Sequence, residues 1–148
     1  MTEDEFAAFS RESLANYARE KTKAEGHSEE EGRAIAEKQW NELLPQGHQT
    51  PNHHFFGVWT DETRVGHAWI AIRKKERGDL AFIYDIALEP EFRGKGLGKR
   101  AMLELETAAR GLGARKMGLH VFGHNTAARR LYERLNYHPT NIVMEKSL

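Results

Sequence analysis

One stretch constrains this chain more than any other. Leu80 to Leu88, LAFIYDIAL, is apolar and β-forming almost throughout, and only Asp85 carries a charge. A strand exposed on one face would alternate apolar with polar residues, so this one must be covered on both faces. The chain is therefore expected to build a sheet around Leu80 to Leu88, with helices packed on either side.

The flanking sequence supplies those helices. Thr2 with Glu5, and Ser28 with Glu31, each have the capping-box spacing in which two side chains satisfy free amides of a first helical turn. Phe6, Phe9, Leu14 and Tyr17 then recur at helical intervals, as do Ile35, Trp40, Leu43 and Leu44. One helix is expected to reach about Ala24 before Gly26, and a second to reach Leu44 before Pro45. After a loop from Pro45 to Asn52, His53 to Thr60 and Val65 to Arg73 read as strands joined across Asp61 to Thr63.

Beyond the central strand, Leu97, Ala101, Leu105 and Ala108 mark an amphipathic helix ending near Gly111 to Gly113. Lys116 to Phe122 reads as a short strand and Asn125 to Leu135 as a helix, while His138 to Lys146 reads as a final extended segment. The expected order is ααβββαβαβ. A strand, helix, strand succession implies partly parallel pairing, so the fold class is α/β, a mixed sheet flanked by helices. At 148 residues the chain is expected to form a single domain, residues 1–148, burying roughly two-thirds of the surface of its unfolded form.

Composition narrows the chemistry. Lys plus Arg equals Asp plus Glu at 22 each, so no charge excess points to nucleic acid or an anionic membrane as partner. The absence of cysteine excludes disulfides, thiolate metal sites and a thiol nucleophile. His53 and His54 are adjacent, and neighbours on a strand point to opposite faces, so no metal site is expected. No signal peptide or membrane span is read, and the expected location is the cytoplasm. Glu29 to Glu31 is favourable charge in a helix's first turn.

The segment Arg93-Gly94-Lys95-Gly96-Leu97-Gly98 lies between the central strand and a helix. Backbone amides unobstructed by side chains, together with the positive end of the helix, favour a phosphate-sized anion there, and Arg93, Lys95, Lys99 and Arg100 add positive charge. A tight strand-to-helix connection with solvated basic residues would look the same. The spacing is GxGxG, neither the GxGxxG of a dinucleotide fold nor the GxxxxGK of a P-loop.

These residues resemble the cofactor motif of the GNAT superfamily of acyl-CoA-dependent N-acyltransferases: Gln or Arg, two residues, Gly, one residue, Gly or Ala, after a central strand and opening a helix. Asn125-Thr126-Ala127-Ala128-Arg129-Arg130-Leu131-Tyr132-Glu133-Arg134-Leu135-Asn136-Tyr137 is similar to the family's second signature, with Asn136 and Tyr137 replacing the usual Gly and Phe. The resemblance spans about Ile83 to Tyr137. One departure concerns the start, where relatives carry a strand ahead of the first helix and this chain opens on a helix cap, so either the first edge strand is absent or the sequence begins after it.

The resemblance implies an N-acetyltransferase that moves the acetyl group of acetyl-CoA to a primary amine held in the same complex. It implies that Arg93, Gly94, Lys95, Gly96, Leu97, Gly98 and Lys99 hold the pyrophosphate and that the backbone of Ile86, Ala87 and Leu88 pairs with the pantetheine arm. By the same resemblance the Leu88 amide polarises the thioester carbonyl, with Asn125, Ala128 and Tyr132 completing the cofactor side. Tyr132 occupies the position of the general acid; a core tyrosine is its ordinary alternative. Asn125 can cap its helix, bond the cofactor, or do both.

The general base is expected at His120, which can accept a proton near neutral pH, or at Asp85, since a carboxylate in an apolar strand needs a partner or a solvent cleft. Tyr84 and His124 are further groove-lining candidates. The acceptor, a small-molecule or peptide amine, is expected at the helical N-terminal third and the Pro45 to Asn52 loop, among Trp40, His48, His53, Phe55 and Phe56. A non-catalytic acyl-CoA-binding or sensor module is the alternative function, transfer of a longer acyl group a third, and a homodimer is left open.

Overall fold

A computed structural model describes the backbone of residues 1–148 and all side chains except those of residues 24 and 25. Helices α1 (Glu3–Glu25) and α2 (Glu29–Leu43) come first, followed by strands β1 (His53–Thr60), β2 (Thr63–Arg73) and β3 (Leu80–Leu88). Helix α3 (Leu97–Gly111), strand β4 (Lys116–Leu119) and helix α4 (Thr126–Arg134) complete the chain. Both expected capping boxes are present, Thr2 with Glu5 and Ser28 with Glu31, and Gly26 closes α1 in the left-handed conformation.

The sheet has the order β1-β2-β3-β4. Its first two pairings are antiparallel and β3 with β4 is parallel, the pairing that the intervening α3 crossover makes possible. Helix α1 is the first element among the described residues.

Alternation along the central strands divides the interior in two. On one face, Ala68, Ile70 and Ile72 of β2 and Ala81 and Ile83 of β3 pack with Met102, Leu105 and Ala109 of α3. Leu131 and Tyr132 of α4 lie against the same cluster. On the other face, Phe55 and Trp69 pack with Phe6 and Phe9 of α1 and Leu44. Trp69 stacks on Tyr84 at 4.5 Å between ring centroids and meets Trp40 of α2 edge-on at 5.2 Å. Helices α1 and α2 approach closely at Gly32, where an added Cβ would lie 2.3 Å from the Thr22 hydroxyl oxygen.

Two expectations are corrected. The strand expected over Lys116 to Phe122 ends at Leu119, and the segment from His138 onward forms no strand. The tail's Ile142, Val143 and Met144 are exposed, so their β-forming character finds no partner edge within the described residues.

Candidate functional site

Strand β3 is continuous in sequence but not in register. Trp69 pairs with Asp85 and Ile70 with Ile83, so Tyr84 is an extra residue that bulges out of the ladder. The bulge turns two successive side chains to the α1 face: Tyr84 stacks on Trp69, and Asp85 meets Ser13 of α1 and His67 of β2. The β3 to β4 pairing stops at the same level. Its last pair is Ile83 with Leu119, while β3 runs on to Leu88. Ile86, Ala87 and Leu88 thus keep β2 on one side and have no strand on the other. The result is a slot in the sheet.

The residues of the glycine-rich loop follow directly. Gly94 (φ 71°) and Gly96 (φ 78°) adopt left-handed conformations that most residues avoid. Gly96 caps α3, and no side chain satisfies the free amides of that first turn. Open space surrounds both glycines, whereas Gly98 sits where Leu131 and Leu88 meet, and a Cβ added there would lie 3.5 Å and 3.9 Å from their methyl carbons. Arg93 folds back, its Nε donating to the Leu88 carbonyl at 2.8 Å, and Lys95 and Lys99 are exposed. Free amides, two left-handed glycines and exposed cations fit a pyrophosphate.

On the α3 side of the slot stands Tyr132. Burial pushes its phenol above the ordinary tyrosine value, and the negative charge of Asp85 pushes it further in the same direction. It therefore holds its proton at neutral pH. Its hydroxyl has no hydrogen-bond partner among the described residues. Asn125 caps α4, its Oδ1 accepting from the Ala128 amide at 3.2 Å, which realises the local alternative considered for it and places Ala128 one turn into the helix.

The candidate bases lie differently from each other. Asp85 is partly buried and has the partners its setting demands: Ser13 Oγ donates to Oδ2, and His67 Nε2 lies 3.3 Å from the same oxygen. His120 is not on a strand face. It follows the end of β4, exposed, with Phe122 edge-on to its ring at 5.2 Å. His124 contacts Glu20 of α1 at 2.9 Å, a hydrogen bond that leads the causes holding the Glu20 carboxyl below its usual value.

Several residues expected around an acceptor pocket make packing contacts. Trp40 and Phe55 belong to the α1–α2 core, His48 stacks on Phe6 at 4.9 Å, and Phe56 packs against the α3 core. His53 accepts from Trp69 Nε1 at 2.9 Å. A pocket of about 270 Å³ between β1 and α3 is lined by Phe56, Leu97 and Arg100 among the site and loop residues singled out in the sequence and by neither Asp85, Tyr132 nor Ile86 to Leu88, so it lies away from the slot. No group of three metal-ligating side chains occurs among the described residues.

Sequence reasoning missed Ser13 and His67. Both are polar residues on otherwise apolar faces, Ser13 following Phe6 and Phe9 on α1 and His67 preceding Trp69 on β2, and that misfit was the available signal.

The sequence profile of the Acetyltransferase (GNAT) family matches residues 11–137. The chain is a GNAT-family acetyltransferase. Relatives agree over its whole length: an uncharacterized N-acetyltransferase of Bacillus subtilis, YycN, is 39% identical over 149 residues, covering 100% of this chain and 96% of the relative. A second from the same organism, YdgE, is 38% identical over 149 residues, covering 100% and 95%. The crystal structure of the acetyltransferase YycN superimposes with a TM-score of 0.94 at 38% identity, covering 100% of this chain and 95% of that one. An acetyl transferase structure from Pyrococcus furiosus follows at TM-score 0.65 and 28% identity, covering 93% and 95%. The GNAT acetyltransferase fold is thus present with its mixed four-stranded sheet, and the chain is an acyltransferase. Among the described residues, no helix of this GNAT enzyme is long and apolar enough to cross a membrane.

Proposed function

We propose that this enzyme transfers the acetyl group of acetyl-CoA to a primary amine by direct attack, with Asp85 as general base and Tyr132 as general acid. The observation that carries the reading is the meeting of these two groups at one slot, close enough for the charge of Asp85 to act on the Tyr132 phenol. The family uses acetyl-CoA; here its pyrophosphate would lie on the amides opened by Gly94 and Gly96, beside Arg93, Lys95 and Lys99. Its pantetheine arm would pair along the free edge of Ile86 to Leu88, and the Leu88 amide would donate to the thioester oxygen.

The amine arrives protonated, since an alkylamine has a pKa of about 10. Asp85 takes one proton from the ammonium and releases it to solvent; the freed lone pair bonds to the acetyl carbon, and as the carbon–sulfur bond breaks the nitrogen gives its second proton to Asp85. Tyr132, neutral and unpartnered at its hydroxyl, gives a proton to the departing sulfur. The products are an acetamide and CoA thiol. Of the two expected bases, Asp85 is favoured because it stands at the slot, whereas His120 is exposed beyond the end of β4.

The test is CoA release from acetyl-CoA with a panel of spermidine, glucosamine, alanine and a short peptide with a free N-terminus. Turnover with at least one amine, lowered about 10²- to 10³-fold but still measurable in Asp85→Asn, is expected. Thermal stabilisation by acetyl-CoA without turnover across a wider amine panel would favour the binding or sensor function instead.

A further inference from the structure

The contacts around Asp85 are lopsided. Ser13 Oγ and His67 Nε2 come from different elements, α1 and β2, yet both reach the same oxygen, Oδ2. Oδ1 receives no donor among the described residues. The two donors are themselves buried, Ser13 at 4% and His67 at 3% exposure, while the Asp85 side chain retains 26%. The imidazole is fixed in turn by Phe9, whose ring meets it edge-on at 5.0 Å. To serve a carboxylate oxygen, Nε2 must carry the hydrogen, which assigns the tautomer.

A clamp built only to satisfy a buried carboxylate would have reason to cover both oxygens. This one covers Oδ2 and leaves Oδ1 without a donor among the described residues, on a residue at the level where β3 and β4 part. We propose that Ser13 and His67 are positioning residues for the transfer: together they hold Asp85 by Oδ2 so that Oδ1 points into the slot and receives the proton of the amine. Their role presupposes Asp85 as the base. It also ties the base to α1, so that the helix on the amine's side of the sheet helps aim the group that activates the amine.

A double-mutant cycle tests this, using whichever of the four panel amines releases CoA fastest. Ser13→Ala and His67→Phe are each expected to lower kcat about ten-fold with the KM for acetyl-CoA unchanged, and Ser13→Thr and His67→Gln, which keep a donor, to restore most of it. In an Asp85→Asn background the same substitutions are expected to cost little more. If they lower kcat by the same factor in both backgrounds, the positioning role is overturned while the base stands. If Asp85→Asn itself retains kcat, the base assignment falls first. Crystal structures of Ser13→Ala and His67→Phe give a readout independent of turnover: the Asp85 carboxylate is expected to rotate, and an unchanged carboxylate in both overturns the proposal.

Discussion

Tyr132 and His53 are both perturbed by burial, with opposite consequences. Burial raises the Tyr132 phenol, and the proton it keeps is the one the proposed mechanism uses. Tyr132→Phe removes that proton and nothing from the loop, so kcat is expected to fall by about 10²-fold while acetyl-CoA still stabilises the variant; steady-state kinetics beside thermal melting check both. Burial lowers His53, with the charges of His54 and Arg73 acting the same way. Below about pH 6.5 the unfolded chain then binds more protons here than the folded chain. This contribution to stability is present above that pH and lost as the pH falls through the lowered folded value. His53→Asn keeps an acceptor for Trp69 Nε1, and its melting temperature is expected to fall less steeply from pH 6.5 to pH 5 than that of the unaltered protein. At this scale the sequence offered the two proposed groups, Tyr132 and Asp85, through their settings, one in a signature and one as a lone charge in an apolar strand. It could not show that Ser13 and His67, far apart along the chain, share an oxygen, because that depends on how α1 lies across β2.

Among the elements, β2 and β3 meet with little room to spare. A Cβ on Gly66 would stand 2.1 Å from the Ala87 carbonyl oxygen and 3.1 Å from Leu88 Cα. Gly66→Ala must therefore push β3 outward at the edge proposed for pantetheine. It is expected to cost about 1–3 kcal/mol of stability, read by denaturant unfolding, and to weaken acetyl-CoA binding, read by calorimetry. Elements with local causes were legible: both capping boxes start their helices where Thr2 and Ser28 predict, and β1 and β3 have their expected bounds. Strand β4 was not. Its continuation to Phe122 looked as β-forming as its start, but β3 gains a residue at Tyr84 and leaves the ladder, so the chain beyond Leu119 has nothing to pair with. A bulge is a property of two strands in register, and a single run of side-chain types does not encode it.

For the molecule as a whole, the proposed site draws the loop, the free edge of β3 and α4 to one ligand, so its binding should act on global stability. At a hundred times its dissociation constant, acetyl-CoA is expected to add about 2.7 kcal/mol, or roughly 5–10 °C in melting temperature for a chain of this size; no shift in differential scanning calorimetry would count against the proposed site. The order of elements and the mixed sheet were readable from periodicity and the strand–helix–strand succession, while the unpaired tail at Ile142 to Met144 was not, since its pattern alone promised a strand. The slot between β3 and β4 has one further consequence. An opening through a sheet has a mouth on each side: the thioester would come from the face of α3 and α4, the amine from the face of α1. Neither substrate then blocks the other's route, so arrival is random in order, and free CoA should inhibit competitively against acetyl-CoA but not against the amine.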